Sequence, residues 1–368
     1  ADTVTITIND ITAASTSAAG FNTTNGTNLT PGITFGTGGE TLTIADASHI
    51  TNTSVANGGG GTDTLVLSNG GDLSTTGFTL SSFENLTLNS DVNATMTVTQ
   101  HEAFTTVTGT GTNTVTLNGT GSTTAETQVE NYTLANGGIT ITLSGAAQNV
   151  TGSSGADTID VSGLTVTGTL NGNGDTDTLQ LGNGANISGA SVSNVENLSV
   201  NSGASVTMTE AQHDGFGTIT GTGTNQITLS SANGDGNVTG DADIENYALG
   251  AATNFTLGAA GQNVTGSTGN DTVNAGSLTA TGTLSGGTGT DILQLSDGAN
   301  ISSAVVSSFE TLTLSGGASV TMTEAQHDAF STVTAPGADI ITISAATNGF
   351  QTQTAVEKYI LGVANATT

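Results

Sequence analysis

Short runs in which threonine alternates with valine, isoleucine or leucine recur along the whole chain, as in TVTITI (residues 3–8) and GITITLSG (138–145), and glycine or asparagine breaks each run. A period of two places the apolar residues on one face, so these runs predict short β-strands with one buried and one outward side. Three places depart from the pattern. Thr97 and Gln100, Thr209 and Gln212, and Thr323 and Gln326 have the three-residue spacing of a helix capping box, which predicts one helical turn at each.

The strand pattern is carried by an internal repeat. GGGGTDTLVLSNGGDLS from Gly58, GNGDTDTLQLGNGANIS from Gly172 and GGTGTDILQLSDGANIS from Gly286 align, with Asp63, Asp177 and Asp291 spaced 114 residues apart. Downstream, SFENLTL, NVENLSV and SFETLTL carry Glu84, Glu196 and Glu310, and the helical turns carry His101, His213 and His327. VENY, IENY and VEKY then hold all three tyrosines, Tyr132, Tyr247 and Tyr359. A second motif, GSSGADTID with Asp157 and GSTGNDTVN with Asp271, lies 20 residues ahead of Asp177 and Asp291; Glu40 in FGTGGETL stands 23 residues ahead of Asp63. This predicts an all-β fold, a right-handed parallel β-solenoid or β-roll-like rod of three repeats of ~114 residues, each with one short helical turn. The segments are 1–57, an N-terminal strand and first half-motif; 58–171, repeat 1; 172–285, repeat 2; and 286–368, a truncated repeat 3. With about 20 residues per coil and roughly 4.8 Å between coils, the rod would be on the order of 80 to 90 Å long.

Composition agrees with thin apolar layers: the chain of 368 residues has 53 glycines, 34% hydrophobic residues and only 4% aromatic ones. Thirty acidic residues face a single basic one, Lys358, for a formal charge of −29, which excludes nucleic acid as a partner and calls for cations to offset the repulsion. The absence of cysteine removes disulfides and thiolate metal sites. No apolar run is long enough to span a membrane. The opening alanine is what signal-peptide removal leaves, so the expected location is outside the cell, secreted or on a bacterial cell surface.

Gly286, Gly287, Gly289, Asp291 and Leu293 satisfy the pattern G-G-x-G-x-D-x-U-x, as do Gly58, Gly59, Gly61, Asp63 and Leu65. Gly152, Gly155 and Asp157, like Gly266, Gly269 and Asp271, miss only the second glycine; Asp175 replaces the fourth-position glycine after Gly172, and Glu40 stands where aspartate is expected. Glycine carbonyls followed by a carboxylate make an all-oxygen setting suited to a hard cation. These stretches resemble the RTX, or haemolysin-type, calcium-binding repeats of secreted bacterial proteins, and the VENLSV and FENLTL segments are similar to those of large surface and S-layer proteins. The resemblance implies Ca²⁺ held between coils one turn apart, pairing Asp157 with Asp177, Asp271 with Asp291, and Glu40 with Asp63. The competing reading is that Gly-x-Asp only makes type I′ hairpin turns.

The remaining residues point away from catalysis. HEAFT lacks the second histidine of a zinc site, because Thr105 occupies its place, so packing or capping roles are expected for the histidines. Glu84, Glu196 and Glu310, with Glu130, Glu245 and Glu357, would suit acid and base pairs of a glycosidase, but an active site is built once while these recur three times. The expected function is therefore a calcium-binding structural protein, not an enzyme, that self-assembles head to tail through its N-terminal strand and its open third repeat. The product would be an extracellular filament, sheath, S-layer or biofilm matrix, with a cell-surface polysaccharide as a further expected partner. The alternative is an adhesin or other ligand-binding solenoid, whose threonine-rich faces meet glycan or ice.

Overall fold

The computed structural model describes residues 5–8, 33–44, 55–135, 137–230, 234, 236–346 and 350–363. There the chain is all-β, a right-handed parallel β-solenoid of short strands with three helical turns. It divides into two units, residues 1–180 with 189–196, and residues 181–188 with 197–368. Of the expected first strand, Thr5–Ile8 is a strand, while Thr3 and Val4 lie outside the described residues.

In the first unit, Thr41–Ile44, Thr64–Leu67, Asn85–Leu88 and Thr106–Gly109 lie side by side, with Thr5–Ile8 on the outer side of Thr41–Ile44. The register places Leu42, Leu65, Leu86 and Val107 in one buried column. A second sheet runs through Asn93–Thr97, Thr114–Asn118, Asn131–Leu134, Asn149–Thr151, Thr169–Asn171 and Ser191–Ser193. The second unit repeats the device, with Phe255, Val273, Leu293, Leu312 and Val333 in register and all buried. Parallel in-register stacking sets each inward side chain against its counterparts in the neighbouring coils, which is why small branched residues suffice for a dry core. Every strand pair among the described residues joined in a sheet is parallel, so the Gly-x-Asp segments are coil corners and not hairpin turns.

The three helical turns fall where the capping boxes predict them, as α1 (Val98–Ala103), α2 (Glu210–Gly215) and α3 (Glu324–Asp328). At each start the threonine hydroxyl accepts from the glutamine backbone N–H, and the glutamine Oε1 accepts from the threonine N–H. The same glutamines reach one coil back, where the Nε2 of Gln100, Gln212 and Gln326 donates to the carbonyls of Leu73, Ile187 and Ile301 at 2.6, 2.7 and 2.7 Å. This ties each turn to the strands beneath it.

The stacked columns predict a sharp contrast between two apolar positions. Leu293→Ala, at a side chain with no exposure, should cost about 2–5 kcal/mol in chemical unfolding. Val305→Ala, at a residue 62% exposed, should stay within about 0.5 kcal/mol of the parent.

Candidate functional site: carboxylate ladders at the coil corners

Where a strand bends into a corner, its backbone N–H no longer faces a carbonyl of the next coil and needs another acceptor. Side-chain oxygens supply it in six ladders among the described residues, and each ladder ends on a glutamate. In the first unit, Glu40 N–H donates to Asp63 Oδ1 (2.7 Å) and Asp63 N–H to Glu84 Oε2 (2.8 Å). Ile139 N–H donates to Asp157 Oδ1 (2.8 Å), Asp157 N–H to Asp177 Oδ1 (2.7 Å) and Asp177 N–H to Glu196 Oε2 (3.0 Å). The second unit repeats the series as Thr253 to Asp271 (2.9 Å), Asp271 to Asp291 (2.7 Å) and Asp291 to Glu310 (2.8 Å).

The other three ladders use asparagine or aspartate in the middle place. Val92 N–H donates to Asn113 Oδ1 and Asn113 N–H to Glu130; Ala204 N–H to Asn225 Oδ1 and Asn225 N–H to Glu245; Ala318 N–H to Asp339 Oδ1 and Asp339 N–H to Glu357. The six glutamates that recur in the sequence are thus ladder ends. Asn113, Asn225 and Asp339 escaped the motif search. Asn113 and Asn225 follow degenerate forms of the glycine motif, TGTGTN, in which the first glycine is lost and asparagine replaces the aspartate, and Asp339 in TAPGAD keeps only the fourth-position glycine. Their signal is that remaining glycine pattern together with a glutamate about one coil later.

The expected pairs Asp157 with Asp177, Asp271 with Asp291 and Glu40 with Asp63 are therefore neighbours one coil apart. In each, the backbone of the first meets the carboxylate of the second. The two motif variants differ in a way the sequence reading did not anticipate. In the serine variant, Ser153 N–H and Ser267 N–H donate to Asp157 Oδ2 (2.7 Å) and Asp271 Oδ2 (2.6 Å), so both oxygens of those carboxylates are occupied. In the other variant the second residue has a left-handed backbone, with φ of 90° at Gly59, 76° at Asn173 and 92° at Gly287. At Gly59 and Asn173 the N–H turns away to Asn57 Oδ1 and Asn171 Oδ1. The Oδ2 atoms of Asp63, Asp177 and Asp291 are left buried with no hydrogen-bond partner.

Around each free oxygen the backbone is close. A Cβ on Gly58, Gly172 or Gly286 would lie 2.9, 2.5 and 2.9 Å from that Oδ2 and within 2.1 Å of the carbonyl oxygen of Ser82, Asn194 or Ser308. Those three residues share a left-handed φ of 54°, 50° and 55°, which aims their carbonyls at the glycine. Gly152 and Gly266 in turn accommodate the carbonyls of Gly172 and Gly286. At the fourth position, Gly61 and Gly289 have φ of 130° and 151°, and Asp175 also takes positive φ, 73°, so its departure from glycine is accommodated. Gly155 and Gly269 show no positive φ, in keeping with the different turn of the serine variant.

The electrostatics follow the burial. Asp177 is pushed up to about 6 by desolvation, reinforced by the charges of Asp157, Glu196 and Asp175. Asp291 is raised for the same reason, with Asp271 and Glu310 beside it. Glu40 is raised by burial and by the Asp63 carboxyl next to it, and its Oε2 also lacks a partner. Uncompensated carboxylate oxygens with carbonyl oxygens close by are the donor type a hard cation takes. Among the described residues no three His, Cys, Asp or Glu side chains converge on a point, so such an ion would complete its shell with carbonyls and water. The fold and site define a parallel β-solenoid with buried carboxylate corners, and no protein-family model, curated protein or solved structure matches the chain.

The two motif variants should respond differently to the same substitution. Asp157→Asn sets an amide NH₂ against either Ser153 N–H or Ile139 N–H and should cost about 1–3 kcal/mol in thermal or chemical unfolding. Asp177→Asn can keep its Oδ1 bond and meets no donor at the second atom, so in chelator it should match or exceed the parent stability.

Proposed function

We propose that this is a secreted structural protein of a bacterial surface, a calcium-stiffened β-solenoid that associates head to tail into a filament, sheath or surface layer. One observation carries the reading: three buried carboxylate oxygens, at Asp63, Asp177 and Asp291, stand unpaired in the same corner of three repeats. A divalent cation at each would cancel the local repulsion and link adjacent coils. The role is binding and support, without turnover.

Self-association is supported by the edge strand Lys358–Val363, which among the described residues is last in its sheet after Ser319–Met322 and Ile340–Ala346. Leu361 pairs in register with buried Ile343, so it occupies an inward column, yet it is 54% exposed. Its counterparts two residues after the other tyrosines, Leu134 and Leu249, are 1% and 4% exposed. The same edge bears Lys358, the only basic residue of a strongly acidic chain. A second copy of the chain fits this edge, bringing acidic coils to the lysine and the strand Thr5–Ile8 to the open backbone.

The adhesin reading rests on another feature. Thr95, Thr116, Thr133 and Thr151 form an outward column in register on the second sheet, a regular hydroxyl face of the kind that a glycan or ice surface matches. Polysaccharide pull-down and ice-recrystallisation assays on Thr116→Leu/Thr133→Leu test it; unchanged results remove that reading.

Calcium should raise the thermal midpoint, by about 2.7 kcal/mol of stability per site at a hundredfold excess over Kd, and chelation should reverse the gain. The triple variant Asp63→Asn/Asp177→Asn/Asp291→Asn should fold but lose the calcium response; an unaltered response would reject these sites. Sedimentation should show polymers in calcium that vanish with Leu361→Asp or with deletion of residues 1–10. A parent protein that stays monomeric at every calcium concentration would contradict assembly.

A further inference from the structure

Each repeat buries one histidine against one tyrosine, and the cation reading uses neither. His101, His213 and His327 are 2%, 4% and 1% exposed, and their Nε2 atoms lie 3.2, 3.3 and 3.1 Å from the hydroxyls of Tyr132, Tyr247 and Tyr359. Each tyrosine hydroxyl also accepts a backbone N–H from six residues earlier, Glu126 at 2.8 Å, Asp241 at 2.8 Å and Gln353 at 3.0 Å. A phenol has one hydrogen, and among the described contacts of each hydroxyl the backbone N–H is a donor and Nε2 is the acceptor, so the O–H points to Nε2. That arrangement requires a neutral ring with its proton on Nδ1.

The Nδ1 side agrees. It meets Thr123 Oγ1 at 2.8 Å in the first repeat, where that hydroxyl in turn bonds Glu102; it meets Asp214 Oδ1 at 3.2 Å in the second and Asp328 Oδ1 at 2.9 Å in the third. The bond spans the coil stack, because the histidine sits on the helical turn while the tyrosine lies on a strand about 30 residues later.

We propose that the histidine–tyrosine pairs of the first two repeats, His101 with Tyr132 and His213 with Tyr247, are acid-release latches that hold the helical turn to the later coil at neutral pH and let go when the ring takes a second proton. Protonation puts an N–H on Nε2 facing the phenol. The phenol oxygen then accepts twice, and its own buried hydrogen has no acceptor. Burial opposes the charged ring and holds His101 and His213 below the ordinary 6.5, outweighing the charge of Glu102 at the first and of Asp214 and Asp241 at the second. The facing groups are Glu102, Thr123, Glu126 and Tyr132 around the first ring. Around the second they are Asp214, Asp241 and Tyr247, and around the third Asp328, Phe350 and Tyr359. A cavity of about 320 Å³ lined by His213, Asp214, Phe216, Thr239 and Asp241 gives solvent a route to the second latch.

The sign is fixed by linkage. A ring kept neutral in the fold but protonated in the unfolded chain adds stability that is full above 6.5 and falls as pH drops toward the lower folded value. Each such ring changes the folding equilibrium by roughly tenfold per pH unit in that window, so His101 and His213 together give roughly a hundredfold.

The protein has three tyrosines and no tryptophan, so its intrinsic emission comes only from the phenols that face these histidines, two of them latched. In the parent chain, emission should shift reversibly with a midpoint below 6.5, and, relative to a chain without these two titrating rings, the folding equilibrium should weaken by roughly a hundredfold per pH unit. His101→Gln/His213→Gln retains an acceptor that does not titrate and should flatten that dependence. Carboxylate titration is common to both proteins and cancels in the comparison. The chain's fourth histidine, His49, is removed for the spectra, and nitrogen-15 spectra of His49→Gln at pH 8 should show the remaining three rings protonated on Nδ1. Nε2 protonation there, or equal pH dependence in parent and variant, would overturn the proposal, and the spectra decide it even if the variant fails to fold.

Discussion

A parallel solenoid is limited by its corners. Along the strands every backbone N–H finds a carbonyl one coil away, but at a corner the chain turns and the donor loses that partner. A buried donor without an acceptor costs about 1–3 kcal/mol, and a solenoid meets the problem once per coil. This chain answers with side-chain oxygens one coil further along, so each corner's acceptor is supplied by the next. The order of the ladders, from Ile139 through Asp157 and Asp177 to Glu196, makes adjacent coils depend on each other in sequence.

Much else follows from that arrangement. Carbonyls pack onto the Cα atoms of Gly58, Gly172 and Gly286, where a Cβ would collide within 2.1 Å, so glycine at the first motif position is a matter of clearance. The second position decides the fate of the carboxylate: serine turns its N–H onto Asp157 or Asp271, and a left-handed residue turns its N–H away. Closed and open corners therefore alternate along the long ladders. Acidity in such a chain is partly internal, since the ladder aspartates are almost wholly buried while the glutamates that end each ladder reach the surface.

The sequence made the fold legible because the strand pattern, the three capping boxes and the spacing of Asp63, Asp177 and Asp291 all report the same coil. Recurrence also marked the histidines, tyrosines and terminal glutamates, but not their roles. Those roles depend on which residues one coil apart come into register, and the coils are not of constant length: Asn113 is 17 residues from Glu130 and Asn225 is 20 from Glu245. A fixed spacing search passes over such pairs. The difference between Ser153 and Gly59 was visible as a missing glycine, yet its meaning lies in a backbone angle that the residue type alone does not report.

The asparagine ladders bear on the charged ones. Asn113 and Asn225 accept a corner N–H with one oxygen, as the aspartates do, and no charge is needed for that task. At Asp63, Asp177 and Asp291 the second oxygen has no donor to serve, so an amide there would cap the corner equally well and without the desolvation that raises Asp177 and Asp291. Capping alone thus accounts for an oxygen at these corners and leaves the negative charge unaccounted for. Each of these carboxylates also lies beside a carbonyl aimed by a left-handed residue, Ser82, Asn194 or Ser308, at a further conformational cost. Two costly features meeting at the same corner of three repeats are what a cation between coils would offset, and neither is required by the solenoid itself.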